Sequence, residues 1–131
     1  MIKLIVFLAM ILMHIENDFV KQGVLAQFKQ KKWWEENYPD KLYKYDYIMA
    51  LAIHSLHWSI YVHIPVLIYH LIYNNSDTGY IVTIVTSIIG NTIMHMIVDH
   101  DKANKKYLNL FEDQIFHLLQ IIFIFALLIL S

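Results

Sequence analysis

Three stretches of the chain contain no Asp, Glu or Lys: Tyr47–Tyr73, Thr78–Val98 and Gln114–Ser131, of 27, 21 and 18 residues. An α-helix needs ~20 apolar residues to cross a bilayer core of about 30 Å, so each stretch predicts a span. A fourth stretch, Leu4–Ile15, is apolar for 12 residues before Glu16 and Asp18 intervene. Lys3 in front gives it the look of a signal-peptide core, but His14, Glu16, Asn17 and Asp18 stand where a small-residue cleavage site belongs. The pattern predicts a retained helix instead. Ile, Val and Thr crowd the second and third spans and would argue for strands in water. In hydrocarbon only helices or closed barrels satisfy the backbone, and four spans cannot close a barrel. The expectation is an all-α, four-helix transmembrane bundle with spans at 2–22, 47–73, 78–100 and 109–130, so that residues 1–131 form a single integral membrane domain. Pro65 should free the carbonyl of Tyr61 and kink the second span.

Between the first two spans, residues 23–46 repeat Val24, Leu25 and Phe28 at helical spacing beside Lys29, Lys31, Lys32, Trp33 and Trp34. This composition predicts an amphipathic helix in the membrane interface, with those lysines and tryptophans at the lipid headgroups and Pro39 ending it.

Composition sharpens the picture. Hydrophobic residues make up 58% and charged residues 16%, against roughly 45–50% and 25% in soluble domains, so the excess must face something other than water. A net charge of -1 excludes a strongly basic nucleic-acid binder, and the absence of cysteine excludes disulfides and thiolate sites. The lysines are unevenly placed. Lys21, Lys29, Lys31, Lys32, Lys41 and Lys44 follow span one, Lys102, Lys105 and Lys106 follow span three, and only Lys3 lies on the other side. The positive-inside rule then predicts a multi-pass protein of the bacterial inner (cytoplasmic) membrane with both termini outside.

Ionisable residues recur in a fixed pattern: His14 with Asp18, His95 with Asp99, and Asp113 with His117. Each pair is spaced i,i+4, which puts both side chains on one helix face about 6 Å apart along the axis. The topology brings all three pairs to the cytoplasmic ends of their spans, and His54 lies at nearly the same depth. Four helices thus offer a common pocket of His14, Asp18, His54, His95, Asp99, Asp113 and His117. Imidazole and carboxylate are ligands for a divalent metal, zinc first and iron or manganese next, as one or two ions. Asp18, Asp99 and Asp113 double as candidate catalytic carboxylates, since one left uncoordinated can act as a general base. His57, at i+3 from His54, either joins the pocket or flanks it, and Glu112 either supports it or serves as a helix N-terminal charge. His63 and His70 read as packing or interfacial residues, and His100 and Asp101 as solvated.

The strings HIENDFVKQ (His14 to Gln22) with Lys29 downstream, the isolated His54, HMIVD (His95 to Asp99) and EDQIFH (Glu112 to His117) resemble, in that order, the signature blocks of the small bacterial and phage membrane-protein family called domain of unknown function 3307. The likeness covers nearly the whole chain. It implies a multi-pass protein and a site role for His14, Asp18, Gln22, His54, His95, Asp99, Asp113, Gln114 and His117, but no reaction. The lysine-rich connection after span one looks longer and more charged than that family's usual one. A looser similarity to membrane-bound metal-dependent hydrolases favours hydrolysis by analogy.

Three functions follow as expectations. The first is a metal-dependent hydrolase acting on a phosphoester or lipid-linked substrate at the cytoplasmic leaflet, with the bilayer and anionic lipid as partners, no nucleic acid, and homo-oligomers left open. The second is a proton or metal-ion transporter or channel. The third is a non-catalytic phage or bacterial interaction protein whose metal is structural.

Overall fold

The computed structural model describes residues 1–73 and 78–130, the side chain of Thr78 excepted. Residues 74–77 and Ser131, the last of the fourth apolar stretch, lie outside the described residues. Every described element is helical. Four longer helices, α1 (Ile2–Ile15), α4 (Asp46–Tyr73), α5 (Thr78–His100) and α6 (Leu110–Phe125), alternate with short pieces, α2 (Leu25–Phe28) and α3 (Lys31–Asn37). Three helical segments are long and apolar enough to cross a membrane: Lys41–Tyr73, Gly79–Lys105 and Leu110–Leu130. The first helix, 14 residues or about 21 Å long, is not among them.

The four longer helices share one core, with Val6 and Met10 from α1, Trp58, Val62 and Val66 from α4, Ile84 from α5, and Ile121 and Ile124 from α6. The outward faces are apolar as well, exposing Leu4, Leu8 and Leu12, Ile53 and Ile60, Val85, Ile89 and Ile93, and Leu119, Ile122 and Phe123. The buried set includes His14, His54, His63, His95, Asn91, Asp99, Asp113 and His117. Apolar outside and polar within is the reverse of what water enforces and the arrangement that lipid tolerates. Helix α4 runs through Pro65 without a break in its assignment.

The segment between α1 and α4 is not the single amphipathic helix that its spacing suggests. Gly23 adopts φ +52, in the left-handed region, and Gln30 is extended, so the helical phase is lost twice. Trp33 and Trp34 pack on Phe28, with ring centroids 4.7 and 5.4 Å away, and Trp34 Nε1 donates to the Phe28 carbonyl at 2.7 Å. These rings are half-buried in a knot with Tyr38 and Tyr43. Lys31 and Lys32 do stay exposed, each paired with a glutamate four residues on. A Cβ at position 23 would meet only the Lys21 carbonyl oxygen at 4.0 Å, an ordinary van der Waals contact, so Gly23→Ala should cost about 1–2 kcal/mol through backbone strain alone. A thermal unfolding scan in detergent should show a correspondingly small drop in midpoint.

Two local features set the register of the site. Asn109 and Glu112 form a reciprocal capping box, which starts α6 about one turn before Asp113 and two turns before His117. At the end of α1 the helix widens into a π-type turn over Glu16–Val20, a feature that recurs at functional sites.

Candidate metal centre

Six of the seven expected ligands meet at one point. Asp18 arrives on the wide turn after α1, His54 on α4, His95 and Asp99 on α5, and Asp113 and His117 on α6. All six are buried. Nε2 of His54 lies 3.4 Å from Asp18 Oδ1, 3.3 Å from Asp99 Oδ2 and 3.3 Å from Nε2 of His95. Nε2 of His117 lies 3.4 Å from Asp99 Oδ1 and 3.3 Å from Asp113 Oδ1. These groups form three overlapping triads, Asp18/His54/His95, His95/Asp99/His117 and Asp18/Asp113/His117, each compact enough to hold a metal ion.

The spacing is informative. Charge-assisted hydrogen bonds sit at about 2.7–2.9 Å, and these contacts are longer. Ligand atoms about 2.0–2.2 Å from a tetrahedral ion lie about 3.3–3.6 Å from one another, which is the spacing of these contacts, while His95 Nε2 lies 3.8 Å from Asp99 Oδ1. His117 makes the case sharper. Its Nδ1 lies 3.1 Å from the side-chain oxygen of Gln120, an acceptor, so Nδ1 carries the proton. In the neutral ring, Nε2 then presents a lone pair to two carboxylate oxygens, acceptor against acceptors. Among the described residues, neither His117 Nε2 nor Asp113 Oδ1 has a hydrogen-bond partner. A cation between them, a metal ion or a proton, removes the conflict.

The remaining carboxylate contacts hold the outer edges of the ring. Gln22 donates to Asp18 Oδ1 at 2.8 Å, and Gln114 donates to Asp18 Oδ2 at 2.8 Å and to Asp113 Oδ2 at 2.9 Å. Gln22 and Gln114 thus hydrogen-bond the carboxylates, as amides beside metal ligands commonly do. Trp58 stacks on His95 with centroids 4.1 Å apart, and His95 in turn stacks on His117 at 4.1 Å.

Several expected residues are placed differently. His14 is buried, but both ring nitrogens are engaged: Trp58 Nε1 donates to Nδ1 at 2.9 Å, and Nε2 donates to Gln114 at 3.0 Å. The wide turn begins at Glu16, between His14 and Asp18, and His14 hydrogen-bonds Gln114 and belongs to none of the three triads. His57, expected to join or flank the pocket, flanks it: it accepts from Asn17 at 2.8 Å and packs at a tilt on Tyr61. Glu112 is exposed and spends its carboxylate on the capping box, so it does not support the site. Lys29, expected at the headgroups, turns inward to pair with Asp99 Oδ2 at 2.7 Å and is 7% exposed. Lys102 likewise binds Asp113 Oδ2.

Sequence reasoning passed over Lys102, Trp58, Asn91 and Gln120. Gln120 stands at i+3 from His117, where an amide can fix a histidine tautomer, so its spacing was a usable signal. No local signal marks the other three, because their partners lie on other helices. Gln120 also donates to Asn91 Oδ1 at 2.9 Å, and Asn91 donates to Ser59 at 3.3 Å. Further along α4, His63 Nδ1 donates to the Ser59 carbonyl at 2.7 Å and Nε2 contacts Ser87 at 3.0 Å, a packing role as expected.

Comparison with family models, with curated proteins and with solved structures finds no match for this chain.

Proposed function

We propose that the chain is a four-span membrane protein of the bacterial inner membrane that binds one or two divalent ions, zinc first, and hydrolyses a phosphoester or lipid-linked substrate at the cytoplasmic leaflet. The observation that carries this reading is the cluster of buried His and Asp atoms spaced 3.3–3.8 Å apart that includes the unpartnered Nε2 of His117. Three carboxylates this close repel one another unless cations lie among them. A bound ion would lower the pKa of its water toward about 7 and supply hydroxide as nucleophile. The chain's own part is to hold the ligands and to keep a carboxylate, Asp18, Asp99 or Asp113, beside that water as a proton acceptor. The ordered sequence blocks that resemble those of domain of unknown function 3307 include the same ligand set, with His14 in addition.

A lipid-linked substrate is favoured by a groove of about 570 Å³ between α5 and α6. Its walls are mostly apolar, Met94, Phe116, Leu119 and Phe123 among them, and it includes Asn91 and Gln120. Gln120 is the residue that holds His117, so the groove runs up to the ring. With the lysine-rich connections on the cytoplasmic side, the site would lie beneath the inner leaflet.

One observation favours a metal-free alternative. Lys29, Lys102 and a doubly protonated His117 would together neutralise the three aspartates, making the cluster a structural charge network. The transporter reading has less support, because the polar chain leading away from the ring passes through the amides of Gln120 and Asn91, which are poor proton carriers.

Elemental analysis of protein purified in detergent without added chelator separates these readings. One or two equivalents of zinc, iron or manganese per chain are expected, together with metal-dependent release of phosphate from a phosphomonoester such as phosphatidic acid. Protein that binds no transition metal after incubation with excess zinc would establish the charge network instead.

A further inference from the structure

The two lysines at the ring are its least expected members. Lys29 is almost fully buried, and holding an ammonium in such a place requires a compensating anion. Asp99 supplies it, through Oδ2 at 2.7 Å. Lys102 binds Oδ2 of Asp113 in the same manner, and its side chain keeps 30% exposure, so one of the two ammonium-bearing chains reaches the surface beside the buried ring. In both aspartates Oδ2 faces the lysine while Oδ1 faces His117.

One side chain links the two segments that carry the lysines. Lys102 belongs to the turn Asp101–Lys105, and Asn104 in that turn accepts from the Lys31 backbone at 2.7 Å and donates to the Lys29 carbonyl at 3.0 Å. Asn104 thus ties the α2–α3 junction to the end of α5, bringing an ammonium from each segment to the same set of carboxylates.

Charge then decides what else the site takes. With neutral imidazoles, three aspartates and two lysines leave one negative charge. One divalent ion turns that into one positive charge, and two ions turn it into three. Once Asp99 and Asp113 share their charge with metal, both ammoniums need another anion, and water alone solvates a buried ammonium poorly. A phosphoryl group has the charge and the number of acceptor oxygens to bridge ammonium and metal.

We propose that Lys29 and Lys102 form an anion subsite that receives the phosphoryl group of a phosphoester beside the metal-loaded ring. This inference rests on the metal reading above and deepens it by naming the substrate class and the residues that select it.

The test uses the full chain in nanodiscs, as wild type, Lys102→Met, Lys29→Met and Lys29→Arg. Metal content is measured by elemental analysis and binding of labelled inorganic phosphate by equilibrium dialysis, on the same samples. Lys102→Met and Lys29→Met should each keep wild-type metal and bind phosphate roughly tenfold or more weakly. Lys29→Arg should stay within about threefold of wild type, because it keeps the charge. Lys102 is the more exposed of the pair, so its variant decides the matter even if Lys29→Met does not fold. A second arm replaces phosphatidylcholine in the discs by phosphatidic acid. Displacement of inorganic phosphate by that lipid supports the subsite with a headgroup as its source, and phosphate binding without displacement supports it with a free phosphoester.

Four results would overturn the inference. If metal-loaded wild type binds no phosphate, or Lys102→Met binds it within twofold of wild type, the subsite fails while the metal centre stands. Loss of metal together with phosphate in the lysine variants would make these residues structural parts of the metal site. Wild type that holds no metal at all would remove the reading on which the subsite depends.

Discussion

His117→Ala should lower bound zinc to half of the wild-type content or less and weaken what remains by at least about tenfold. The reason is the way the triads share corners. His117 belongs to two of them, His95/Asp99/His117 and Asp18/Asp113/His117, so its loss leaves only Asp18/His54/His95. His95 and Asp18 are shared in the same manner, whereas His54, Asp99 and Asp113 each belong to one triad. The six positions therefore divide into two groups. Alanine at 18, 95 or 117 should reduce metal more than alanine at 54, 99 or 113. Zinc content by elemental analysis, with chelator competition for affinity, reads the difference directly. A variant at His117 that retained wild-type zinc would show that the ion, if bound, is held elsewhere. Equal losses at all six positions would instead indicate a single ion held by the whole ring.

Trp58→Ala should be the most destabilising single change in the core, costing about 3–5 kcal/mol. Trp58 is fully buried, stacks on His95 and donates from Nε1 to His14. Its removal opens a cavity directly beneath the ring and leaves His14 Nδ1 without its donor. Trp58→Phe separates the two effects. It fills most of the space but lacks the N–H, so its cost should fall to about 1–3 kcal/mol, that of one unmet buried acceptor. Thermal unfolding in detergent with and without zinc measures both. If Trp58→Phe proves as damaging as Trp58→Ala, the hydrogen bond to His14 outweighs the packing. If neither shifts the midpoint, the indole does not support the site.

Much of this site was legible in the chain because helical periodicity is a local property. The pairs at 95/99 and 113/117 follow from a 3.6-residue repeat, and the structure brings both, with His54 and Asp18, to one point. The pair at 14/18 obeys the same spacing but not the same geometry. The helix widens after Ile15, and a change of backbone pitch is invisible to a rule that assumes constant pitch. His14 is consequently diverted to Trp58 and Gln114. The segment 23–46 failed as one helix for a related reason: Val24, Leu25 and Phe28 kept helical spacing, while the left-handed Gly23 and the extended Gln30 broke the phase around them.

Composition and neighbours within four residues were enough to make the chain helical, to give it long segments that suit lipid, and to gather histidines and aspartates near the ends of those segments. Which atoms face one another depends on packing between helices: that Nε2 of His117 meets two carboxylate oxygens, that Lys29 enters the interior rather than lying at the surface, and that Asn104 bonds its carbonyl there. Partners 70 or more positions apart, such as Lys29 and Asp99, are set by how helices pack against each other, and no local repeat encodes that.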